Sequence, residues 1–455
     1  MFEIAAAQSL LLQVGFWNKV LTPDLDYLGR HWASRHAPAE RAARGSEQTL
    51  KRLAVKCGLQ LSDGTFAPAT TTHILFFGHT GSGKTTELRH YAKALSGPRW
   101  YFPVEVDITT ELDRNNLQYA DVLMAMARKL VERLQAEQVV VPAAAVQELE
   151  NWFKQHVLTE ARSRELSAAL ESGVQAGTGI PLLASLFAKF TAAFKSNMTY
   201  KEELRKIVRN SFTQFAVTFN AFLRSAEATL SATGRGQRVL FLVDGADKLR
   251  GEDTRAFFVA DAEQLLAIES TVIYTAPLGL KYEGNLTNKL DANLVLPMIK
   301  LSERNGSPFE TGRDVMREIL LRRADRSLFA SAAEIENLIS YSGGHPRELL
   351  RLLKLCCEVA ESRIDADAVN TAVRLLASDY RRFLEPEDYG VLAKADQDDI
   401  HLGNDERTRR LLYNLALLEY NDGSWRRSHP VVRTLEGYKS AKQNPSFWDR
   451  GAGTP

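Results

Sequence analysis

His73-Ile74-Leu75-Phe76-Phe77-Gly78-His79-Thr80-Gly81-Ser82-Gly83-Lys84-Thr85-Thr86 is the stretch on which the fold turns. Its first five residues form a short apolar run bounded by turns, the pattern of a buried parallel strand. Gly78–Thr85 then follows the spacing G-x-x-x-x-G-K-[ST], and a helix is expected from about Lys84 to Leu95. Strand, glycine loop and helix form the context in which that spacing has a mechanism. Glycines let the backbone wrap tightly, so that N–H groups converge on phosphate oxygens, and the helix N-terminus adds a favourable dipole. Lys84 is expected to reach the β- and γ-phosphates and Thr85 to place its hydroxyl on Mg²⁺. His79, Thr80, Gly81, Ser82, Gly83 and Thr86 complete the expected cradle for ATP or ADP.

Such a loop needs an acid at the end of a neighbouring strand. Val239-Leu240-Phe241-Leu242-Val243-Asp244 supplies one, and Asp244 is the expected second holder of Mg²⁺. Hydrolysis also needs a carboxylate that polarises the attacking water. Gly245 directly after Asp244 has none to offer, so Asp247 either does that work or caps the next turn. Thr271–Tyr274 reads as a further strand, and Thr275 at its end either faces the γ-phosphate or simply closes the strand.

Trp100–Val106 and Leu294–Ile299 complete the expected strands. Strands alternating with helices such as Thr254–Ile268 imply an α/β fold with a parallel sheet. Residues 1–65 read as a helical N-terminal segment and 66–303 as the phosphate-loop core, with a helical insertion over about 115–232. A helical lid over 304–378, a winged-helix-like domain over 379–443 and a tail over 444–455 follow. In that last domain a hairpin is expected to turn at Asn421-Asp422-Gly423.

Composition narrows the class. With 455 residues, 45% hydrophobic and 25% charged, the chain has the make-up of a soluble globular protein of several domains. A net charge of +1 gives no bulk field for nucleic acid or an anionic membrane, so any such contact must come from a local patch. Cys57, Cys356 and Cys357 have neither disulfide nor metal spacing, which fits a reducing cytoplasm. The N-terminal apolar run carries Glu3 where a signal peptide needs basic residues, and it is too short for a bilayer. A cytoplasmic protein with no membrane span is therefore expected.

Together these residues, from about Thr71 to Val432, resemble the AAA+ and STAND groups of P-loop ATPases, the latter including the NB-ARC and NACHT switches. Asp244-Gly245-Ala246-Asp247 is similar to the NACHT form of the Mg²⁺-binding strand end, and Gly245 stands where many relatives carry Glu. Gly343-Gly344-His345-Pro346-Arg347-Glu348, opening an apolar helix, resembles the G-x-P signature of STAND and origin-recognition ATPases. The resemblance implies that Pro346 lies near the base or sugar and Arg347 near the phosphates. It also implies that His429, after the wing, touches the β-phosphate of ADP; here Pro430 stands where the NB-ARC triplet continues with Asp. AAA+ rings usually donate a trans arginine from the stretch corresponding to Pro277–Asn293. That stretch holds Lys281 and Lys289 and no arginine, while Arg304, Arg313, Arg322 and Arg323 of the lid stand as substitutes; the resemblance thus implies a switch in place of a ring motor, and Gly245 implies slow hydrolysis. Leu117-Gln118-Tyr119-Ala120-Asp121 and Ile180–Phe190 give a general similarity to bacterial ATPases, several of them near phage-defence genes.

Two features leave alternatives open. The apolar stretch Gly179–Phe194 reads as a core helix, a partner surface or a membrane-lying helix. Arg407, Arg409, Arg410, Arg426, Arg427 and Arg433 crowd the winged-helix region, with Asp396, Asp398, Asp399, Asp405 and Glu406 beside them. The expected function is an ATP-driven switch that self-associates with nucleotide and controls a separate effector protein. The alternative is a DNA-associated ATPase that grips duplex DNA with its winged helix.

Overall fold

The computed structural model describes residues 44, 48–60, 65–112, 117–156, 180–181, 183–184, 187–188, 198–249, 251–282, 289–397 and 405–444. Strands β1 (Thr72–Gly78), β2 (Tyr101–Asp107), β3 (Arg238–Asp244), β4 (Thr271–Pro277) and β5 (Ala292–Val295) form one parallel sheet in the order β2-β3-β4-β1-β5. The fold is thus α/β, as the alternating pattern implied. β1 explains why the sheet is covered on both faces. Leu75 and Phe77 point into one apolar cluster and Ile74 and Phe76 into another, all fully buried. Each such side chain contributes about 1.5–3 kcal/mol relative to exposure.

The parallel register brings the functional strand ends to one edge. Asp107 lies opposite Asp244, and Phe77-Gly78 opposite Ala276-Pro277. Ligands of open α/β sheets bind beyond the carboxyl ends of the strands, which here is the edge carrying the glycine loop.

Helices α1 (Gln48–Lys56) and α2 (Lys84–Ala94) border one face. Between β2 and β3 come α3 (Tyr119–Ala136), α4 (Ala143–His156), α5 (Met198–Asn210) and α6 (Phe212–Ala232). After β5 the chain forms α7 (Glu310–Leu321), α8 (Ala332–Tyr341), α9 (Pro346–Val359) and α10 (Ala366–Phe383). The C-terminal part holds α11 (Pro386–Gln397), α12 (Glu406–Tyr413), the antiparallel pair β6 (Leu417–Tyr420) and β7 (Trp425–Ser428), and α13 (Glu436–Gln443). Its hairpin turns at Asn421–Gly423, where Asn421 and Gly423 both take positive φ, as two-strand turns demand. Cys57, Cys356 and Cys357 are buried thiols. Among the described residues no helix is long and apolar enough to cross a membrane. Most of Gly179–Phe194 lies outside them, as do residues 1–43.

Two expectations are corrected. The last core strand is Ala292–Val295, not Leu294–Ile299. Leu296 N–H still donates to the Phe77 carbonyl at 2.8 Å, but Pro297 has no N–H to extend the ladder. Thr254–Ile268 is not one helix. It breaks into Gly251–Arg255, a π turn at Ala256–Ala260 and Ala262–Leu266. Phe257 and Phe258, adjacent in the π turn, are both fully buried.

The helices between β2 and β3 share a buried ion pair. Arg205 of α5 donates to both Asp121 oxygens, at 3.0 and 2.5 Å, with both side chains almost wholly buried. Asp121 also accepts from Gln118 N–H and so closes the start of α3. Removing one partner strands the other charge, at about 3–5 kcal/mol. Arg205→Ala is therefore expected to lower the urea midpoint steeply, whereas Asp121→Leu combined with Arg205→Met recovers most of the loss.

Candidate functional site

Gly78–Thr85 forms a loop whose only long side chain, Lys84, turns back into it. Its ammonium donates to the Gly78 carbonyl at 2.8 Å and the His79 carbonyl at 3.0 Å, and it pairs with Asp247 at 2.8 Å. An ammonium has three protons, so all are committed. Gly83 holds a left-handed conformation (φ 101°) at the start of α2, which spares the turn a Cβ clash. The first N–H groups of α2 have no helical acceptor, as at any helix start, and they open toward the loop.

Thr85 donates its hydroxyl to Asp244 at 2.7 Å. Burial pushes the Asp244 carboxyl above its ordinary value, and the nearby Asp247 and Asp107 carboxylates add to this against Thr85 and Lys84. Burial also opposes ionisation of Asp247, yet Lys84, Lys248 and Arg347 outweigh it and hold its pKa below the usual value. Crowded carboxylates beside a hydroxyl are a donor set that a divalent cation relieves. Among the described residues no three His, Cys, Asp or Glu form a metal cluster. Thr85 and Asp244 thus fit Mg²⁺ of the kind completed by water and phosphate oxygens.

Thr275 is fully buried and accepts from Gly245 N–H at 2.9 Å, which ties the end of β4 to the turn after β3. Gly245 itself is sterically locked. Its φ is +91°, and a Cβ there would meet Thr109 Cγ2 at 2.5 Å. A glutamate at this position would be strained by the positive φ and would have to displace the Thr109 methyl. Asp107, which accepts from Thr109 N–H and Oγ1, belongs to the same acidic corner. An apolar strand ending in Asp was its signal, the same one that marked Asp244.

The lid reaches the loop through the turn before α9. Pro346 opens that helix, with His345 as its N-cap. His345 Nε2 meets the Thr80 carbonyl at 3.2 Å. Arg347 lies over Gly81 so closely that a Cβ there would sit 2.6 Å from Nε. Arg44, another residue without a sequence signal, donates to the Ser82 and Pro297 carbonyls at 3.0 and 2.7 Å.

The C-terminal domain closes on the same place. His79 Nε2 accepts from Glu419 N–H at 2.9 Å, and its Nδ1 meets the Leu412 carbonyl at 3.2 Å. Tyr420 donates to the Gly343 carbonyl at 2.7 Å. Tyr282, after β4, donates to Glu419, which Arg426 also holds. His429 is fully buried and stacks on Tyr380, with ring centroids 4.9 Å apart. Its Nδ1 accepts from Val431 N–H at 3.2 Å, so Nε2 carries the proton. That Nε2 has no partner among the described residues. A buried donor left unpaired costs about 1–3 kcal/mol.

No protein-family model matches the chain. No curated protein matches it either. Solved structures do. Cdc6p of Pyrobaculum aerophilum is 12% identical, over 95% of this chain and 100% of that one, with a TM-score of 0.36. The Orc1 protein of Aeropyrum pernix, solved in complex with DNA, is 14% identical over 98% of both chains, with a TM-score of 0.34. A Thermotoga maritima RuvB variant is 16% identical over 63% of this chain and 94% of that one, with a TM-score of 0.25.

The buried histidines make the fold sensitive to acid. Burial, followed by nearby cations, pushes His79 and His429 down to about 3, and His345 well below its ordinary value. Below about pH 6.5 the unfolded chain binds protons that the folded one refuses, so stability is lost as pH falls toward the folded-state values. Each histidine contributes a slope of about 1.4 kcal/mol per pH unit over that window. The unfolding midpoint of the C-terminal domain is expected to drop between pH 6.5 and 4.5, and less steeply in a His79→Gln, His429→Gln double variant.

Proposed function

We propose that the chain is an AAA+/STAND-type P-loop ATPase, working as an ATP-binding, slowly hydrolysing conformational switch. The observation that carries this reading is that lid and C-terminal domain both seat on the phosphate loop, through Arg347 over Gly81, His345 on Thr80 and Glu419 on His79. A bound nucleotide therefore has different contacts in closed and open arrangements, which is the condition for shifting a population between them.

In this reading Lys84 and the loop N–H groups bind the phosphates, and Arg347 adds a cation from the lid. Thr85 and Asp244 hold Mg²⁺, which supplies charge neutralisation on the phosphates when bound. Pro346 borders the base or sugar. The unpaired Nε2–H of His429 supplies a buried donor for a phosphate oxygen of ADP, favouring the closed state. Asp247 positions water only after Lys84 leaves it, and Thr275 aligns the γ-phosphate end. Gly245 has Thr109 where a second acid would stand, which supports slow turnover. Opening would free the C-terminal domain for self-association and for a separate effector chain, in the anti-phage setting the sequence resemblance implies.

The winged-helix arginines weigh against the DNA reading. Arg410 pairs with Asp388, Arg426 with Glu419 and Arg433 with Asp396, while Arg427 donates to the Ala395 and Arg304 carbonyls. These pairings lower the net positive field that the cluster offers to phosphates, although Arg410 and Arg433 keep part of their surface in water.

The test is the nucleotide carried by the purified protein, together with its mass with ADP and with a non-hydrolysable ATP analogue. ADP on a monomer that assembles only with the analogue is the expected result. An empty protein whose mass ignores both ligands would contradict the switch.

A further inference from the structure

Residue 79 faces two ways. Its carbonyl points into the phosphate loop, where it accepts from Lys84 Nζ at 3.0 Å and Ser82 N–H at 3.1 Å. Its imidazole points out of the loop and is buried against the C-terminal domain. A backbone N–H only donates, so Nε2, which receives Glu419 N–H, must be bare. The proton then sits on Nδ1 and is donated to the Leu412 carbonyl. The ring is a single neutral tautomer bridging α12 and β6.

Both of its partners are backbone groups of buried residues. Leu412 lies in the last turn of α12, where its carbonyl accepts a long bond from Leu415 N–H, at 3.4 Å, and has a lone pair left for the imidazole. Glu419 lies in a two-stranded sheet opposite Arg426, and its N–H points away from the ladder to the imidazole. His79 therefore stands in for a neighbouring strand. The same Glu419 is held through its side chain by Tyr282 and Arg426. One residue of β6 thus donates a backbone hydrogen bond to the loop and accepts one through its side chain from the segment after β4.

Resting on the nucleotide-switch reading above, we propose that His79 is the linkage through which the presence of a γ-phosphate on the phosphate loop is reported to the C-terminal domain. When a γ-phosphate draws the Lys84 ammonium forward, the His79 carbonyl keeps only the Ser82 N–H as donor. The backbone at residue 79 is then held less firmly, and the imidazole shifts away from Glu419 N–H and the Leu412 carbonyl, whereas ADP leaves both contacts in place. Coupling is reciprocal, so docking of β6 also biases the loop between its arrangements. His79 acts here as a positioning residue.

The measurement is amide hydrogen exchange at Glu419 and along Leu417–Tyr420 in the full chain. ADP or a non-hydrolysable ATP analogue is kept saturating for each variant, and bound nucleotide is quantified in the same samples. Wild type is expected to show about a tenfold difference in exchange between the two ligands, within the usual range of such couplings. His79→Ala is expected to exchange fast with both, with the difference under about twofold. His79→Gln, whose amide both accepts and donates, is expected to recover part of the difference. A wild-type-sized difference in His79→Ala overturns the linkage. So does wild-type protein that binds both ligands yet shows equal exchange with each, a result that needs no variant. If nucleotide-driven assembly persists in either case, the switch stands without His79. Wild-type protein that holds neither ligand removes the switch reading and the linkage together.

Discussion

One buried ammonium organises the site. Lys84 lies in the interior at the edge of a parallel sheet, and a charge there must be fully satisfied. It spends its three protons on Gly78, His79 and Asp247. That commitment sets the loop's curvature, fixes the turn after β3 and keeps Asp247 ionised. The acidic corner of Asp107, Asp244 and Asp247 balances the cation, and Thr85 is tied in through Asp244.

The outer layers are arranged around that centre. Glycines at 81, 343 and 344 let lid and C-terminal domain approach without obstruction. A Cβ on Gly344 would strike the Ile299 carbonyl at 1.8 Å, and one on Gly343 would strike Leu418 at 2.6 Å. The polar contacts across these seams are mostly single hydrogen bonds from neutral histidines and tyrosines, each worth about 0.5–1.5 kcal/mol. Apolar packing runs across them too, as where Met298 meets Leu418, Tyr420 and Trp425.

Much of this was legible beforehand. The glycine loop, Asp244 and the buried strands follow from local rules, because strand burial and phosphate-loop geometry are encoded over a few residues. Pro346 marked a helix start for the same reason. Less local features were hidden. Thr254–Ile268 has helical periodicity, yet a π turn at Ala256–Ala260 interrupts it. Pro297 ended β5 earlier than its apolar run suggested. The roles of His79, Arg44 and Glu419 depend on segments hundreds of residues away, and no spacing in the chain announces them. The arginine cluster of the C-terminal domain shows the reverse case. Its composition left a DNA contact open, diluted by neighbouring acids, and several of its partners lie within the fold.

The most direct measurement is calorimetric titration of ADP and an ATP analogue, each with Mg²⁺, into wild type and Lys84→Ala, with folding of the variant checked by thermal melting. Wild type is expected to bind one nucleotide per chain. The variant is expected to bind about 100-fold more weakly or not at all, since a charged hydrogen bond to phosphate is worth up to about 3 kcal/mol. A folded Lys84→Ala protein with wild-type affinity would contradict the account at its centre.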